Sequence, residues 1–292
     1  MNSETAHLLV RAWRHRLLKD RWEVGFVRSA LRPGDCCLDI GSHKGAYAYW
    51  MAERVGRGGL VVAFEPQPGY ASMQRRLWER SGKQHVRVEE LALSDAAGEA
   101  TLWIPSWGPS PGASLVRSSL GEGATEVRVP MLSLDAYAAQ KQLPRVALIK
   151  CDVEGHELSV FRGGEQVLRR DKPALLFECE ARFGGEDRVR SVFAYLRSIG
   201  YRGWFVHRGR KVASEDFRAA VHQSPELKRT CNNFVFEPCE WPEGTPKVLL
   251  SRGTHPAPVL QDDRVDGAPH PGRPPARRDP AGAVGDAQKA GA

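Results

Sequence analysis

No run of apolar residues in this 292-residue chain is long enough to span a bilayer. The opening stretch, MNSETAHLLVRAWRHRLLKDRW, lacks a signal-peptide pattern: Arg11 and Arg14 interrupt its short apolar patch, and no small-residue cleavage site follows. No two cysteines form a C-x-x-C pair. The six, Cys36, Cys37, Cys151, Cys179, Cys231 and Cys239, read as free thiols, four of them in apolar, strand-like runs. Together these absences predict a cytoplasmic protein with no transmembrane segment. There is no internal repeat and no G-x-G-x-x-G phosphate-binding turn.

What remains is ordinary for a globular chain: 41% hydrophobic and 26% charged residues. The net charge of +7 is spread along the sequence and does not by itself single out nucleic acid as a partner. Residues 1–30 read as an N-terminal helical extension, with Leu8, Leu9, Ala12, Trp13 and Leu17 at helical spacing and arginines between them. Such a helix is expected to pack on the following domain with its charges solvated. Contact with a membrane or nucleic acid is the alternative. Residues 31–240 read as one domain. Residues 241–292, rich in Pro, Gly, Ala and charge, bury too little to order and read as a disordered tail.

Within the domain, strand-like and helix-like runs alternate. CCLDI, LVVAFEP, HVRVEELALS, RVALIKC, PALLFECE, YRGWFVH and NNFVFEP read as strands, with helices over 45–55, 69–80, 156–170 and 187–199. ATLWIP and EVRVPM flank a Gly/Ser/Pro-rich loop. SLDAYAAQ is a short helix with Ser133 as its N-cap. This alternation predicts an α/β fold with a doubly wound, mostly parallel sheet and helices on both faces.

In such sheets ligands bind beyond the carboxyl ends of the strands. DIGSHKG lies at the first such end. Its glycines, Gly41 and Gly45, would let the backbone approach a ligand, and the next helix would point free N–H groups at it. The missing middle glycine argues against a pyrophosphate and for S-adenosylmethionine, whose ammonium Asp39 could face. Glu65, about 20 residues past Gly45 at the end of the second strand, suits a ribose. KCDVEGHE ends the fourth strand with Lys150, Asp152, Glu154 and His156 beside a glycine turn, and Glu178 ends the next. A carboxylate or histidine there could take the proton of an attacking hydroxyl.

DIGSHKG, AFEPQP, LALSDAAGEATLW, GASL, VPMLSLDAY and LPRVALIKCDVEGHELSVFRGG follow in order over about residues 35–238. In these motifs the chain resembles the FkbM-type methyltransferases, S-adenosylmethionine-dependent enzymes with the seven-stranded class I fold. The D-V-E-G-x-E block is the most specific part. The resemblance implies cofactor contacts at Asp39, Gly41, Ser42, Gly45, Glu65 and Pro66. It places Ala92, Leu93 and Ser94 by the adenine and Asp152 near the methyl group. It also implies O-methylation of a small molecule, sugar, glycan or natural product.

The candidate catalytic set is Asp152, Glu154, His156 and Glu178, with Asp152 the first choice of base. Glu154 has a second reading as a cap on the following helix, and His156 as an exposed helix-start residue. Lys44 reads as a solvated lysine. Asp152, Glu154 and Glu178 could hold a divalent ion through oxygen ligands, but spacing across strands does not favour one. The loop over 106–120, with Trp107 and Arg117, is long enough to wall a site. An RNA methyltransferase, a non-catalytic cofactor-binding module and an NAD-dependent dehydrogenase are the competing readings. DVEG in place of an Asn/Asp-Pro-Pro-aromatic turn counts against the first, and the absent dinucleotide fingerprint against the last.

Overall fold

The computed structural model describes residues 3–14, 17–18, 20–105, 112–116, 123–227 and 230–240. The predicted tail, 241–292, and Trp107 and Arg117 of the predicted loop lie outside these residues.

Two helices, α1 (Ser3–Arg14) and α2 (Arg21–Ala30), precede the first strand, β1 (Cys36–Ile40). Then follow α3 (Ala46–Val55), β2 (Leu60–Phe64), α4 (Pro68–Arg80), β3 (Val86–Glu89), β4 (Ala92–Ser94), β5 (Gly98–Ile104) and β6 (Thr125–Ser133). The second half carries α5 (Leu134–Lys141), β7 (Val146–Cys151), α6 (Glu157–Gly163), α7 (Glu165–Asp171), β8 (Ala174–Glu178), α8 (Gly185–Ser198), β9 (Tyr201–His207), β10 (Arg210–Ala213), α9 (Ala219–His222) and β11 (Asn233–Pro238). Helix starts follow local chemistry. Pro68 opens α4, where its missing N–H costs nothing, and the Ser133 hydroxyl accepts from the Ala136 N–H at 3.2 Å to cap α5.

The main sheet runs β10-β9-β11-β8-β7-β1-β2-β3. Strands β3, β2, β1, β7 and β8 are mutually parallel; β11 inserts antiparallel between β8 and β9, and β10 is an antiparallel edge. Alternate residues feed two cores. Cys36, Leu38 and Ile40 of β1 and Leu175 and Phe177 of β8 face one, with α5, α6, α7 and α8. Cys37, Ala174 and Leu176 face the other, with α2, α3 and α4. The strands therefore read as continuous apolar runs, because both faces are covered. All six cysteines are free, and only Cys239 is exposed.

The structure corrects the sequence reading in three places. The main sheet has eight strands, not seven, and is mixed, with four of its seven pairings parallel. The extra strand β10 forms a hairpin with β9 through Arg208 and Gly209, both at positive φ (48° and 73°). Such a two-residue turn is usually announced by Asn-Gly or Asp-Gly, and Arg-Gly hides it. HVRVEELALS is two strands in different sheets: β3 joins the main one, while β4 joins β6 and β5 in a three-stranded sheet. The helix expected over 156–170 breaks at Gly163–Gly164. There a Cβ on Gly163 would stand 1.8 Å from the Ser94 carbonyl oxygen, so the helix must pass β4 as bare backbone.

Candidate active site

The turn after β1 is held by protein rather than shaped by open space. The Gly41 and Ser42 N–H groups both donate to the Phe64 carbonyl at 3.0 Å, which joins the ends of β1 and β2. Gly41 has φ 75°, and a Cβ there would lie 1.8 Å from the Asp152 carbonyl oxygen. Gly45 has φ 76°, and its Cβ would meet the Trp78 ring at 2.8 Å. Both glycines thus make room for the chain itself. Gln74 of α4, fully buried, donates to Ser42 Oγ (2.7 Å) and to the His43 carbonyl (2.9 Å). His43 is left in the left-handed region, φ 50°.

A cleft with about 550 Å³ of open space lies beyond the ends of β1, β2, β3 and β7, against the side of β4. Of the predicted cofactor residues, Gly41, Glu65, Pro66, Ala92, Leu93 and Asp152 line it, and Asp39, Ser42, Gly45 and Ser94 do not. Of the predicted catalytic residues, Asp152 and His156 line it, and Glu154 and Glu178 do not. Ala113 and Leu115 of the GASL segment complete the wall. Ser114 pins that segment in place: its backbone bridges Trp103, and its hydroxyl donates to the Glu154 carbonyl at 2.6 Å.

Glu65 is 2% exposed. Its Oε2 accepts from the His43 N–H at 2.6 Å and its Oε1 from the Gln67 N–H at 2.9 Å. Burial pushes its pKa up to about 7, against the pull of those two donors. Asp39 is buried beneath the turn. Its Oδ2 accepts from the Ala48 N–H of α3 at 2.9 Å, while Oδ1 is buried with no partner. Burial raises its pKa to about 6, with Lys150 pulling the other way. His43 Nε2 is a second buried polar atom with no partner. Burial, then Lys44 and Arg11, lower the His43 pKa to about 4, so the ring is neutral at neutral pH.

At the end of β7, Lys150 Nζ donates to Asp152 Oδ2 at 2.9 Å. The Lys150 side chain is 4% exposed and Asp152 28%, so a buried cation holds a cleft-facing carboxylate. The ammonium also lies 5.0 Å from the centre of the Tyr47 ring. Burial disfavours this cation, but Asp152, Asp39 and Glu178 together more than offset that and raise its pKa.

Glu154, at φ 52°, turns to Arg182, which donates to Glu154 Oε2 and Glu180 Oε1 at 2.8 Å each. It does not cap the next helix. Glu157, the first residue of that helix, instead reaches back to the turn and accepts the Gly155 N–H at 2.9 Å. Glu178 lies near Asp152, Glu154 and Glu180, and burial followed by these like charges raises its pKa well above the carboxylate range. Burial and Asp152 raise Glu154 in the same way. His156 is half-buried rather than exposed. Its Nε2 meets Ser94 Oγ at 2.9 Å, and burial lowers its pKa. Lys44 lies over the Tyr70 ring, 5.3 Å from its centre, rather than free in solvent. Among the described residues, no three or more His, Cys, Asp or Glu side chains are placed to hold a metal ion.

The profile of the methyltransferase FkbM domain matches residues 39–202, which take in the β1 turn, the cleft and the DVEG block. The chain belongs to that family. Among curated relatives, the hexuronic acid methyltransferase AglP of Haloferax volcanii is 30% identical over 163 residues, 54% of this chain and 62% of AglP. The chain thus spans less than two thirds of that relative's length. Among solved structures, the FkbM methyltransferase of Methylobacillus flagellatus KT is 15% identical, with 81% of this chain and 55% of that one covered at a TM-score of 0.45. A SAM-dependent O-methyltransferase of Thermotoga maritima is 14% identical, with 76% and 67% covered at 0.42.

Within this FkbM domain, sequence reasoning noticed Lys150 without giving it a role. It missed Gln74, Ser114 and Arg182. Lys150 carried a usable signal, being a lysine inside an apolar strand two positions before a cleft acid, where an unpaired charge would be costly. The other three act through tertiary contacts that no local pattern announces. Among the described residues no helix is long and apolar enough to cross a membrane.

Proposed function

We propose that this protein is an S-adenosylmethionine-dependent O-methyltransferase whose acceptor is a hydroxyl of a sugar or a related small molecule. One observation carries the reading: Glu65, from the end of β2, and Asp152, from the end of β7, line the same cleft, and Asp152 is held by the buried Lys150. Membership of the FkbM family supports methyl transfer, and the relative named a hexuronic acid methyltransferase supports a sugar acceptor.

The residues present fit the cofactor. Leu91, Ala92, Leu93 and Leu102 offer an apolar surface to the adenine. Each Glu65 oxygen takes one backbone donor, and this fixed carboxylate on the cleft wall suits the two ribose hydroxyls. The unpartnered Asp39 Oδ1 and His43 Nε2 are the atoms that lack what an aminoacyl group would bring. When bound, the cofactor supplies an electrophilic methyl group on a sulfonium.

Among the candidate bases, the surroundings favour Asp152. It lines the cleft, and the adjacent Lys150 ammonium fixes its orientation. Glu154 is committed to Arg182. Glu178 is off the cleft wall, where burial and its acidic neighbours disfavour its charged form. His156 Nε2 is engaged with Ser94. Asp152 thus orients the acceptor hydroxyl and takes its proton.

The test is transfer of labelled methyl from S-adenosylmethionine to a panel of hexoses, hexuronates, aminosugars and RNA. Label in a sugar fraction, lost by about 10²-fold or more in Asp152→Asn, is expected. Label in RNA alone, or full turnover of the variant, contradicts the reading.

A further inference from the structure

Helix α1 carries two apolar faces, and its fold uses one of them. Leu8 and Ala12, one turn apart, are buried (2% and 0% exposed). The Ala12 carbonyl accepts from the Trp50 indole N–H at 3.0 Å, and the Arg11 guanidinium donates to the Lys44 carbonyl at 3.3 Å. The helix is therefore docked on α3 and on the turn after β1.

With that seam closed, large apolar side chains remain outside. Val10 is 67% exposed, Leu17 54% and Leu18 63%, and Trp13, 43% exposed, sets one edge of its ring system against Trp50 with centroids 5.2 Å apart. Val221 completes the exposed large hydrophobics among the described residues, so all the others lie within nine consecutive positions. Val10 and Trp13 share a face, since residues three apart are neighbours on a helix. A concentration of this kind marks a surface that meets something apolar.

Charge narrows what that is. Arg11, Arg14, Arg16, Lys19 and Arg21 fall in the same stretch, with Asp20 the only acid from residue 10 to 21. Exposed Trp, Leu and Val interleaved with Arg and Lys are what an interfacial helix presents to a bilayer: the apolar groups enter the acyl boundary and the cations meet anionic headgroups. A second copy of the chain would bring the same positive charge to its own face and be repelled. The geometry points to the exposed Val10, Trp13 and Arg14 of α1, with Leu17, Leu18 and Arg21 after it, as a docking surface for an anionic lipid bilayer.

Co-sedimentation of the full chain with vesicles tests this. Phosphatidylcholine vesicles are compared with vesicles containing an equal part of phosphatidylglycerol, at low and high salt. Binding to the anionic vesicles alone, weakened by salt, is expected. Two triple variants, Val10→Ser/Leu17→Ser/Leu18→Ser and Arg14→Gln/Arg16→Gln/Lys19→Gln, should each lower the bound fraction roughly tenfold or more. Their melting temperatures check that they fold, and the lipid and salt dependence of the natural chain stands without them. No binding to anionic vesicles at low salt overturns the inference. So does undiminished binding by the folded apolar variant, or a dimer of the natural chain that this variant abolishes.

Discussion

Lys150 and Asp39 are register partners on the adjacent parallel strands β7 and β1, and the Lys150 ammonium ends 2.9 Å from Asp152 Oδ2. One buried cation thus stands between the acid beneath the turn after β1 and the acid that faces the cleft. Replacing it with Met leaves both carboxylates without their counter-charge. Because Asp152 is partly open to water, Lys150→Met should cost about 2–3 kcal/mol in denaturant unfolding, below the range for fully buried pairs. It should lower turnover far more than it weakens binding of S-adenosylhomocysteine. Unchanged turnover in the folded variant would remove Lys150 from the catalytic account.

The acids beneath the turn set a pH dependence of stability. Folding raises Asp39 to about 6 and Glu65 and Glu157 to about 7, each first through burial. A carboxyl whose folded pKa exceeds its unfolded value contributes stability that is full below about pH 4 and is lost as pH rises through the folded value. The ligand-free melting temperature should therefore fall between about pH 4 and 7. Glu157→Gln keeps an acceptor for the Gly155 N–H and removes one titrating group, so its curve should fall less steeply. A parallel curve for the variant would show that Glu157 does not titrate in this window.

Gly41 and Gly34 separate close approach from backbone strain. Both have positive φ, but a Cβ on Gly41 meets the Asp152 carbonyl oxygen at 1.8 Å, whereas one on Gly34 meets nothing within 4 Å. Gly34→Ala should cost about 1–2 kcal/mol for the left-handed conformation alone. Gly41→Ala should cost about 3 kcal/mol or more, because it also parts β1 from the end of β7. Equal losses in chemical denaturation would contradict this reading of the turn.

Ser114 holds the GASL wall to the end of β7 through its hydroxyl on the Glu154 carbonyl. Ser114→Ala should lower stability by about 1 kcal/mol, the usual worth of such a bond. It should also raise the KM for the cofactor, since Ala113 and Leu115 lose their anchor. A change in kcat with KM intact would place Ser114 elsewhere in the mechanism.

Much of this architecture could be read from the chain because its signals are local. Apolar runs such as CCLDI and PALLFECE are strands buried on two faces, and Ser133 caps the helix it precedes. Glu65 and Asp152 were legible as acids at strand ends. What escaped depends on distant partners. Asp135, in the first turn of its own helix, accepts the Gln166 and Val167 N–H groups and caps α7. The Arg208–Gly209 hairpin hid behind an arginine, and Gly163 read as a mid-helix residue because Ser94 lies 69 positions earlier in the chain. Glu154 and Glu178 had the right residue type near the right strand ends. Side-chain direction and Arg182 take them off the cleft wall.

The most direct measurement is a calorimetric titration of the purified protein with S-adenosylhomocysteine, using NAD as the control ligand and Glu65→Ala as the control protein. The account predicts binding of the homocysteine compound, weakened about 10- to 100-fold in the variant by the loss of charge-assisted bonds to the ribose, and none for NAD. Absence of binding by the folded natural protein, or binding indifferent to Glu65→Ala, would contradict it.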